Sequence, residues 1–237
     1  MGHDGAISHV QLETGVVDTI PVSCDVLDVV LAGNGWAYAF PRRDQWESIR
    51  SIDLRSHAEV GSGAASIYAG TVARLHPSGG ALYGADNGLS PSDIEHYVIT
   101  GGAVSEIWDS PYHGDYPMCG DLWFAGDRLV TRCGTVLRTS EVREQDLRFA
   151  GSITAGTYAH MDYAEATDRL YAIESLEHAH HAAGVTVPRF PGPGTQSFVA
   201  RARWVFASAA GDMLHVLVQA DGSAGAADDF AVWSVGL

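Results

Sequence analysis

Apolar and polar residues alternate in short runs along this chain rather than in helical periods. Five segments each contain an apolar run, a small or turn-forming connector and a second apolar run. They span residues 29–40, 73–85, 122–132, 161–173 and 204–217. In a strand successive side chains point to opposite faces, whereas a helix repeats its apolar positions every three or four residues. The pattern therefore predicts five β-hairpins and an all-β fold.

The spacing of the hairpins predicts a repeated structural unit. Their connectors lie about 42 to 47 residues apart, at Gly35, Gly79, Gly126, Asp168 and Gly211. A four-stranded propeller blade has about this length, so each hairpin is expected to supply the two inner strands of one blade.

Further apolar runs predict outer strands at residues 47–54, 94–99, 104–108 and 230–235. The segments 6–12 and 16–22 predict two outer strands of a blade that lacks an inner pair. We therefore expect a single propeller domain over residues 1–237, in which residues 1–23 belong to an incomplete or closing blade.

Several short motifs support this interpretation. Leu82-Tyr83 and Leu170-Tyr171 occupy matching places in two hairpins, Ser-Ile-Asp-Leu lies at 51–54, and residues 10–15 are followed by Ile-Pro-Val at 20–22. With these motifs the sequence resembles the YVTN and WD-repeat propellers of bacteria. The resemblance implies four-stranded antiparallel blades, about five in this chain, in a closed ring or as part of a larger one. It implies no substrate, because propellers host enzymes as well as interaction scaffolds.

The charge of the chain argues against nucleic acid binding, and the length of its apolar runs argues against membrane insertion. All 14 basic residues are arginine, and 29 carboxylates give a formal net charge of -15. An acidic surface repels nucleic acid phosphates and suits cations, basic partners or neutral polar ligands. No apolar run is long enough to cross a bilayer. Nucleic acid binding and membrane insertion are therefore not expected.

Loop length predicts where the functional site lies. In a four-stranded meander, the connections between the second and third strands and those between blades lie on one face. In this chain these connections are long and polar, and we call them the long-loop face: residues 41–46, 86–93, 110–117, 177–181 and 190–194. Binding residues concentrate on loops held by a rigid scaffold. The long-loop face is therefore the expected binding surface.

Two histidine–aspartate pairs are the main candidates for chemistry. His113 and Asp115 precede one inner strand, and His160 and Asp162 begin the next with the same spacing. Residues two apart share a face of a strand, so each pair can aim both groups at the central channel. Such groups can bind a divalent cation or exchange protons. The alternative is that they satisfy backbone groups and tie loops together.

Asp86, Asn87 and Asp93 form the second candidate group. Their clustered oxygens are of the kind that Ca²⁺ prefers, but the spacing is not that of an EF-hand loop. A turn rich in side-chain hydrogen bonds is the alternative interpretation.

The remaining candidates are arginine and aromatic residues. Arg42 and Arg43 offer forked donors to a carboxylate, and Trp46 offers a flat surface to a sugar ring. Alternatively, Trp46 opens the third strand and packs between blades. Tyr112 and Tyr116, which flank the first histidine–aspartate pair, complete the expected binding residues.

These features favour a non-enzymatic binding or scaffold propeller. No nucleophile elbow, phosphate-binding loop or zinc-protease motif is present in the sequence. The expected partner is a polar small molecule, a glycan or a protein. The alternative function is a hydrolase or lyase with a His/Asp site, metal-dependent or not, at the channel mouth. No cofactor is expected, and a divalent cation is the alternative.

The cysteines predict a disulfide. Cys119 and Cys133 are each seven residues from Gly126, so a regular hairpin centred there brings them together. The bond implies an oxidising location, extracellular or periplasmic. Cys24 has no evident partner and is expected to stay reduced. The alternative is two buried free thiols in a reducing cytoplasm.

Overall fold

The computed structural model describes residues 5–61, 66–153, 157–174, 200–220 and 230–236. Within these ranges the chain forms strands and a single 3₁₀ helix, Glu165–Thr167. No helix in the described ranges has the length and apolar character of a membrane span. The all-β expectation is therefore confirmed.

The amino-terminal part consists of a hairpin and a four-stranded sheet. The hairpin pairs β1 (Gly5–Val10) with β2 (Val17–Val22). Blade 1 contains, from its inner to its outer edge, β3 (Val26–Ala32), β4 (Trp36–Pro41), β6 (Arg50–Asp53) and β7 (Ala58–Val60). A short pair, β5 (Glu47–Ser48) with β8 (Ser66–Ile67), lies beside it.

Two further four-stranded sheets follow in chain order. Blade 2 contains β9 (Val72–Leu75), β10 (Ala81–Ala85), β11 (Ile94–Thr100) and β12 (Ala103–Asp109). Blade 3 contains β13 (Leu122–Ala125), β14 (Arg128–Thr131), β15 (Thr135–Arg138) and β16 (Phe149–Ser152).

The carboxy-terminal part contributes two more inner hairpins. β17 (Tyr158–Ala164) pairs with β18 (Arg169–Glu174), and β19 (Ala200–Ala207) begins a sheet with β20 (Met213–Ala220) and β21 (Phe230–Gly236). The first strands of the five hairpins pack side by side in the order β3, β9, β13, β17 and β19. Antiparallel meanders whose inner strands adjoin in sequence order form a β-propeller. The five predicted inner hairpins are confirmed.

The cores lie between neighbouring sheets, as the alternation along β4 shows. Tyr38 and Phe40 are fully buried and pack toward Leu82 and Tyr97 of blade 2. The intervening Ala37 and Ala39 face the opposite way and contact the β1–β2 hairpin. Small residues on that face let the hairpin approach closely.

The β1–β2 hairpin lies where a preceding blade would pack. Ile20 and Val22 of β2 are buried against blade 1, and β2 contacts β7 at its outer edge. The Ser23 backbone N–H and hydroxyl both donate to the Glu59 carboxylate on β7, at 2.6 Å each. The hairpin is therefore anchored to blade 1 by apolar contacts and by hydrogen bonds.

A disulfide joins Cys119 to Cys133, with Cα atoms 5.6 Å apart. The ladder of β13 and β14 alone would place Cys119 opposite Gly134, one residue out of register. The chain corrects this mismatch locally, because the Arg132 N–H donates to the carbonyls of both Cys119 and Asp121. Cys24 is buried and unbridged, and burial raises the pKa of its thiol.

Candidate functional site

The long-loop face is a continuous surface over blades 1 to 3. Gly88 in the second-blade loop lies against Tyr68, where a Cβ would come within 2.3 Å of the ring and of the Ala69 carbonyl. Only glycine permits this approach. Farther along, the Cβ position of Gly114 lies 3.4 Å from the Pro91 ring. The loops 86–93 and 110–117 are thus packed together. The predicted loops 177–181 and 190–194 lie outside the described residues.

Asp93 is the centre of the polar contacts in this region. Its carboxylate accepts hydrogen bonds from the Ser110 hydroxyl and the Ile94 N–H, and its Oδ2 contacts His113 Nδ1 at 2.8 Å. Asp109 joins them, with ligand atoms of Asp93, Asp109 and His113 all within 4.8 Å of one another. Burial raises the pKa of Asp93, although the Ser110 hydroxyl and the Ile94 N–H favour its ionised form.

Glu95 adds a second carboxylate at the same edge of blade 2. It lies directly opposite Asp109 in the β11–β12 ladder, and like charges in that position destabilise a sheet. Burial, together with repulsion from Asp86, Asp109 and Asp93, raises the pKa of Glu95 to about 7 despite a hydrogen bond from the Tyr97 hydroxyl. Near neutral pH this edge therefore carries two carboxyl groups, those of Glu95 and Asp109, that repel each other.

Asp86 and Asn87 stabilise the loop through hydrogen bonds. Asp86 Oδ1 accepts from the N–H groups of Gly88 and Leu89, both at 3.1 Å. Asn87 Oδ1 accepts from the Gly120 N–H at 2.8 Å, and its amide donates to the Gly70 carbonyl at 3.3 Å. This geometry favours the side-chain turn that was the alternative to a calcium site.

Trp46 is held exposed on the first-blade loop. Its side chain is 60% exposed, so it does not pack between blades. The backbone has a left-handed φ of 61°, and the Trp46 carbonyl accepts from the Ser66 hydroxyl at 2.8 Å. The ring meets Tyr68 edge to face at 5.6 Å, and Gln45 donates to the Tyr68 hydroxyl at 2.7 Å. The indole is therefore fixed in position while facing solvent.

Arg42 and Arg43 lie beside Trp46 and share one carboxylate. Arg43 Nε is 2.7 Å from Asp25, and Arg42 Nε is 3.6 Å from the same side chain. Arg42 also donates to the Val26 carbonyl at 3.2 Å. Both side chains remain at least half exposed and can still contact a partner.

The two predicted histidine–aspartate pairs have separate partners. His113 contacts Asp93, and Asp115 is exposed. On β17, Asp162 Oδ2 accepts from the Ala207 N–H at 2.6 Å, while His160 packs against Trp123 and Phe206. Burial lowers the pKa of His160. No described contact joins one pair to the other.

Tyr112 and Tyr116 are partly buried and pack against the core between blades 2 and 3. Their rings meet edge to face at 5.0 Å, and Tyr116 stacks on Phe149 at 3.9 Å. The Phe149 N–H donates to the Tyr112 hydroxyl at 3.2 Å. These tyrosines support the loop that carries His113.

The structure also reveals polar residues on the inner strands that the sequence did not single out. Arg74 on β9 is 3.1 Å from Asp28 on β3, and it contacts Asp121 next to β13. Asp28 Oδ2 accepts from the Ala73 N–H at 3.0 Å, which is the same contact that Asp162 makes with Ala207. In the sequence, three inner-strand segments each contain one aspartate, namely Asp28, Asp121 and Asp162. This pattern does not predict that Arg74 lies between Asp28 and Asp121.

Comparison with known proteins supports the fold alone. No family model matches the sequence, and no curated protein matches it. Among solved structures, the Swd1 β-propeller domain of Myceliophteria thermophila is similar, with a TM-score of 0.55 and 16% identity over 91% of this chain and 76% of that one. A protein from Lactobacillus plantarum has a TM-score of 0.51 and 12% identity, over 94% and 76% of the two chains. The chain is thus a β-propeller.

Proposed function

We propose that this protein is an interaction scaffold that binds a basic segment of a partner protein through its long-loop face. Trp46 carries the proposal, because a large aromatic fixed in an exposed position is typical of interface residues that dominate binding energy. A propeller supplies the rigid frame that such a surface needs.

The charge of the surface decides the kind of partner. Glu95 and Asp109 repel each other across the ladder, and a lysine or arginine placed between them would relieve that repulsion. Asp93 and Asp115 lie on the adjoining loops. The net charge of -15 favours approach of basic segments over longer distances.

Panning a phage-displayed random peptide library against the full chain tests this proposal. Selected peptides are expected to be rich in arginine and lysine and to bind more weakly as salt rises. Trp46→Ala is expected to weaken their binding by about 2 kcal/mol or more, which is roughly 30-fold. Asp109→Asn is expected to reduce the enrichment of basic residues.

Leu12→Ala is the matched control. Leu12 is 94% exposed and lies in the turn of the β1–β2 hairpin, outside the long-loop face. Peptides that depended on Leu12 and ignored Trp46 would overturn the assignment of the face. Acidic or uncharged consensus peptides would overturn the assignment of a basic partner.

We also propose an exported location and a relationship to the YVTN type of propeller. The disulfide supports the first, because such bonds persist in oxidising compartments. The Leu-Tyr pairs in β10 and β18 support the second. Thiol counting in denaturant without reductant tests the location. One reactive thiol, Cys24, is expected, and three would contradict it.

A further inference from the structure

Two histidines and an aspartate converge at the junction between the β1–β2 hairpin and blade 1. His9 on β1 and Asp18 on β2 are direct partners in the ladder, so their side chains share a face. That face also carries Ile20, which is buried against blade 1. His57 ends the turn 54–57 between β6 and β7 and completes the group from the blade side.

The three side chains are close enough to share a ligand. Their ligand atoms all lie within 4.8 Å of one another, and His57 Nδ1 is 3.9 Å from Asp18 Oδ2. The His9 and His57 rings meet edge to face at 5.3 Å. A tetrahedral metal ion with ligands at about 2.0–2.1 Å separates them by roughly 3.3 Å, so small side-chain rotations would bring all three to one ion.

His9 has a buried nitrogen that the described contacts leave unexplained. Its Nδ1 is shielded from solvent and has no hydrogen-bond partner within the described part of the chain. A buried polar atom without a partner costs free energy, and an ion is one of the partners that can satisfy it. Asp18 and His57 are each a little over a third exposed, so an ion can reach the group from solvent.

We propose that His9, Asp18 and His57 bind a divalent transition-metal ion, with Zn²⁺ as the best match. Imidazole nitrogens combined with a carboxylate are a donor set that suits Zn²⁺ rather than Ca²⁺ or Mg²⁺, which prefer oxygen alone. Three protein ligands leave a fourth position for water or for a side chain of a partner. The ion ties the amino-terminal hairpin to the outer edge of blade 1. This site is separate from the long-loop face and does not depend on the proposed function.

The cluster of Asp93, Asp109 and His113 provides an internal comparison. It has the same proximity of ligand atoms, but His113 Nδ1 already contacts Asp93 and the Asp93 carboxylate accepts from Ser110 and Ile94. Binding an ion there would replace existing hydrogen bonds. Binding at His9 would instead satisfy an atom that lacks one.

Metal titration of the full, tag-free chain after removal of bound metal tests the proposal. Calorimetry with Zn²⁺ is expected to show a single tight equivalent, and Co²⁺ is expected to give visible absorption bands that Zn²⁺ removes. His9→Gln, Asp18→Asn and His57→Asn are each expected to weaken Zn²⁺ binding by more than about 100-fold, beyond the 10- to 100-fold typical of losing a residue that only orients a ligand. His113→Gln is the matched control and is expected to bind as the wild type does.

The variants are chosen to keep the fold. His57 has a φ of 52°, a left-handed conformation that asparagine tolerates well, so His57→Asn retains the turn. Melting temperatures in chelator are expected to agree among all variants, whereas Zn²⁺ is expected to raise the melting temperature of the wild type and of His113→Gln alone. Equal Zn²⁺ affinity in the wild type and His57→Asn, or no Zn²⁺ binding by the wild type, would overturn the proposal. Loss of Zn²⁺ binding in His113→Gln would show that the ion binds on the long-loop face and would also overturn the proposal.

Discussion

Two histidine–aspartate contacts in this molecule, which differ from the two pairs predicted from the sequence, join ring Nδ1 to carboxylate Oδ2. The contact is 2.6 Å between His96 and Asp146 and 2.8 Å between His113 and Asp93. Their surroundings differ greatly. The side chains of the first pair are 3% and 0% exposed, and those of the second pair are 64% and 14% exposed.

The buried pair belongs to a polar network between blades 2 and 3. Tyr83, His96 and Trp108 are neighbours on three successive strands of blade 2, and all three contact the Asp146 carboxylate of blade 3. The Ser140 N–H donates to the same carboxylate at 2.8 Å. Asp146 is thus surrounded by donors, so its pair holds two blades together. The exposed pair leaves His113 available to solvent, so it can serve recognition.

The largest difference between the pairs is expected when the aspartates are removed. Asp146→Ala leaves several buried donors without an acceptor and is expected to lower the free energy of unfolding by about 3–5 kcal/mol. Asp93→Ala is expected to lower it by only about 1 kcal/mol, because water can replace part of what is lost. Urea denaturation of both variants measures the two values. Equal losses would remove the distinction between the pairs.

Glu95, which lies opposite Asp109 and so in the same part of blade 2 as the exposed pair, is expected to show the next largest effect. Because its folded-state pKa is raised from 4.5 to about 7, the folded state binds more protons in that interval and stability falls as pH rises through it. Glu95→Gln is expected to remove this dependence and to raise the free energy of unfolding at pH 8. The gain is at most about 3.5 kcal/mol, at about 1.4 kcal/mol per pKa unit.

Denaturation at two pH values, one on each side of that interval, provides the measurement. Asp109→Asn, which removes the charge opposite Glu95, is expected to give a smaller change in the same direction. A wild-type stability that stayed constant from pH 5 to pH 8 would contradict the assignment of Glu95.

Acid titration is expected to give opposite signs for the two aspartates. Burial would raise the pKa of Asp146, but hydrogen bonds from His96, Tyr83, Ser140 and Trp108 together lower it below the ordinary 3.8. Its contribution to stability is therefore present above 3.8 and is lost as pH falls through the lower folded-state value. Burial raises the pKa of Asp93, so its ionisation reduces stability as pH rises through the folded-state value.

Comparing Asp146→Asn with Asp93→Asn in urea, at a series of pH values below about 5, separates these effects. The loss of stability in acid is expected to become shallower in Asp146→Asn and steeper in Asp93→Asn. The same change of slope in both variants would show that the two carboxylates have similar environments.

The smallest effect is expected for His113. His113→Ala removes an exposed ring and one surface contact, and is expected to change the free energy of unfolding by less than about 1 kcal/mol. His96→Ala, which removes a ring stacked on Trp108 at 3.9 Å, is the matched buried variant and is expected to cost several times more. A large loss of unfolding free energy in His113→Ala would show that the loop carrying His113 contributes to the core, which would contradict this expectation.

The sequence was sufficient for the inner hairpins because they depend on local alternation. Residues 81–85 and 94–99 read as strands on their own, and the hairpin around Gly126 placed Cys119 near Cys133. Even so, the register of β13 and β14 was one residue away from the bridge, and the hydrogen bonds of Arg132 corrected it. Local pattern thus predicts which strands pair, while small backbone adjustments decide which side chains meet.

The polar contacts were harder to predict because they join distant segments. Asp146 meets Tyr83, His96 and Trp108 only after blades 2 and 3 pack, and nothing in the spacing of these residues indicates it. Glu95 lies inside the predicted strand 94–99, where the alternation of apolar and polar residues accounts for it as an ordinary polar position. Its importance comes from Asp109 on the neighbouring strand, which depends on ladder register rather than on sequence distance.

The hydrogen bonds between inner strands have a consequence for synthesis on the ribosome. Asp28 accepts from Ala73 and Asp162 accepts from Ala207, and in each case the donor follows 45 residues later in the chain. A nascent sheet therefore lacks the partner for its inner aspartate until the next inner strand has emerged. The inner aspartates of these two sheets can therefore gain their backbone partners only after the following inner strand has been translated.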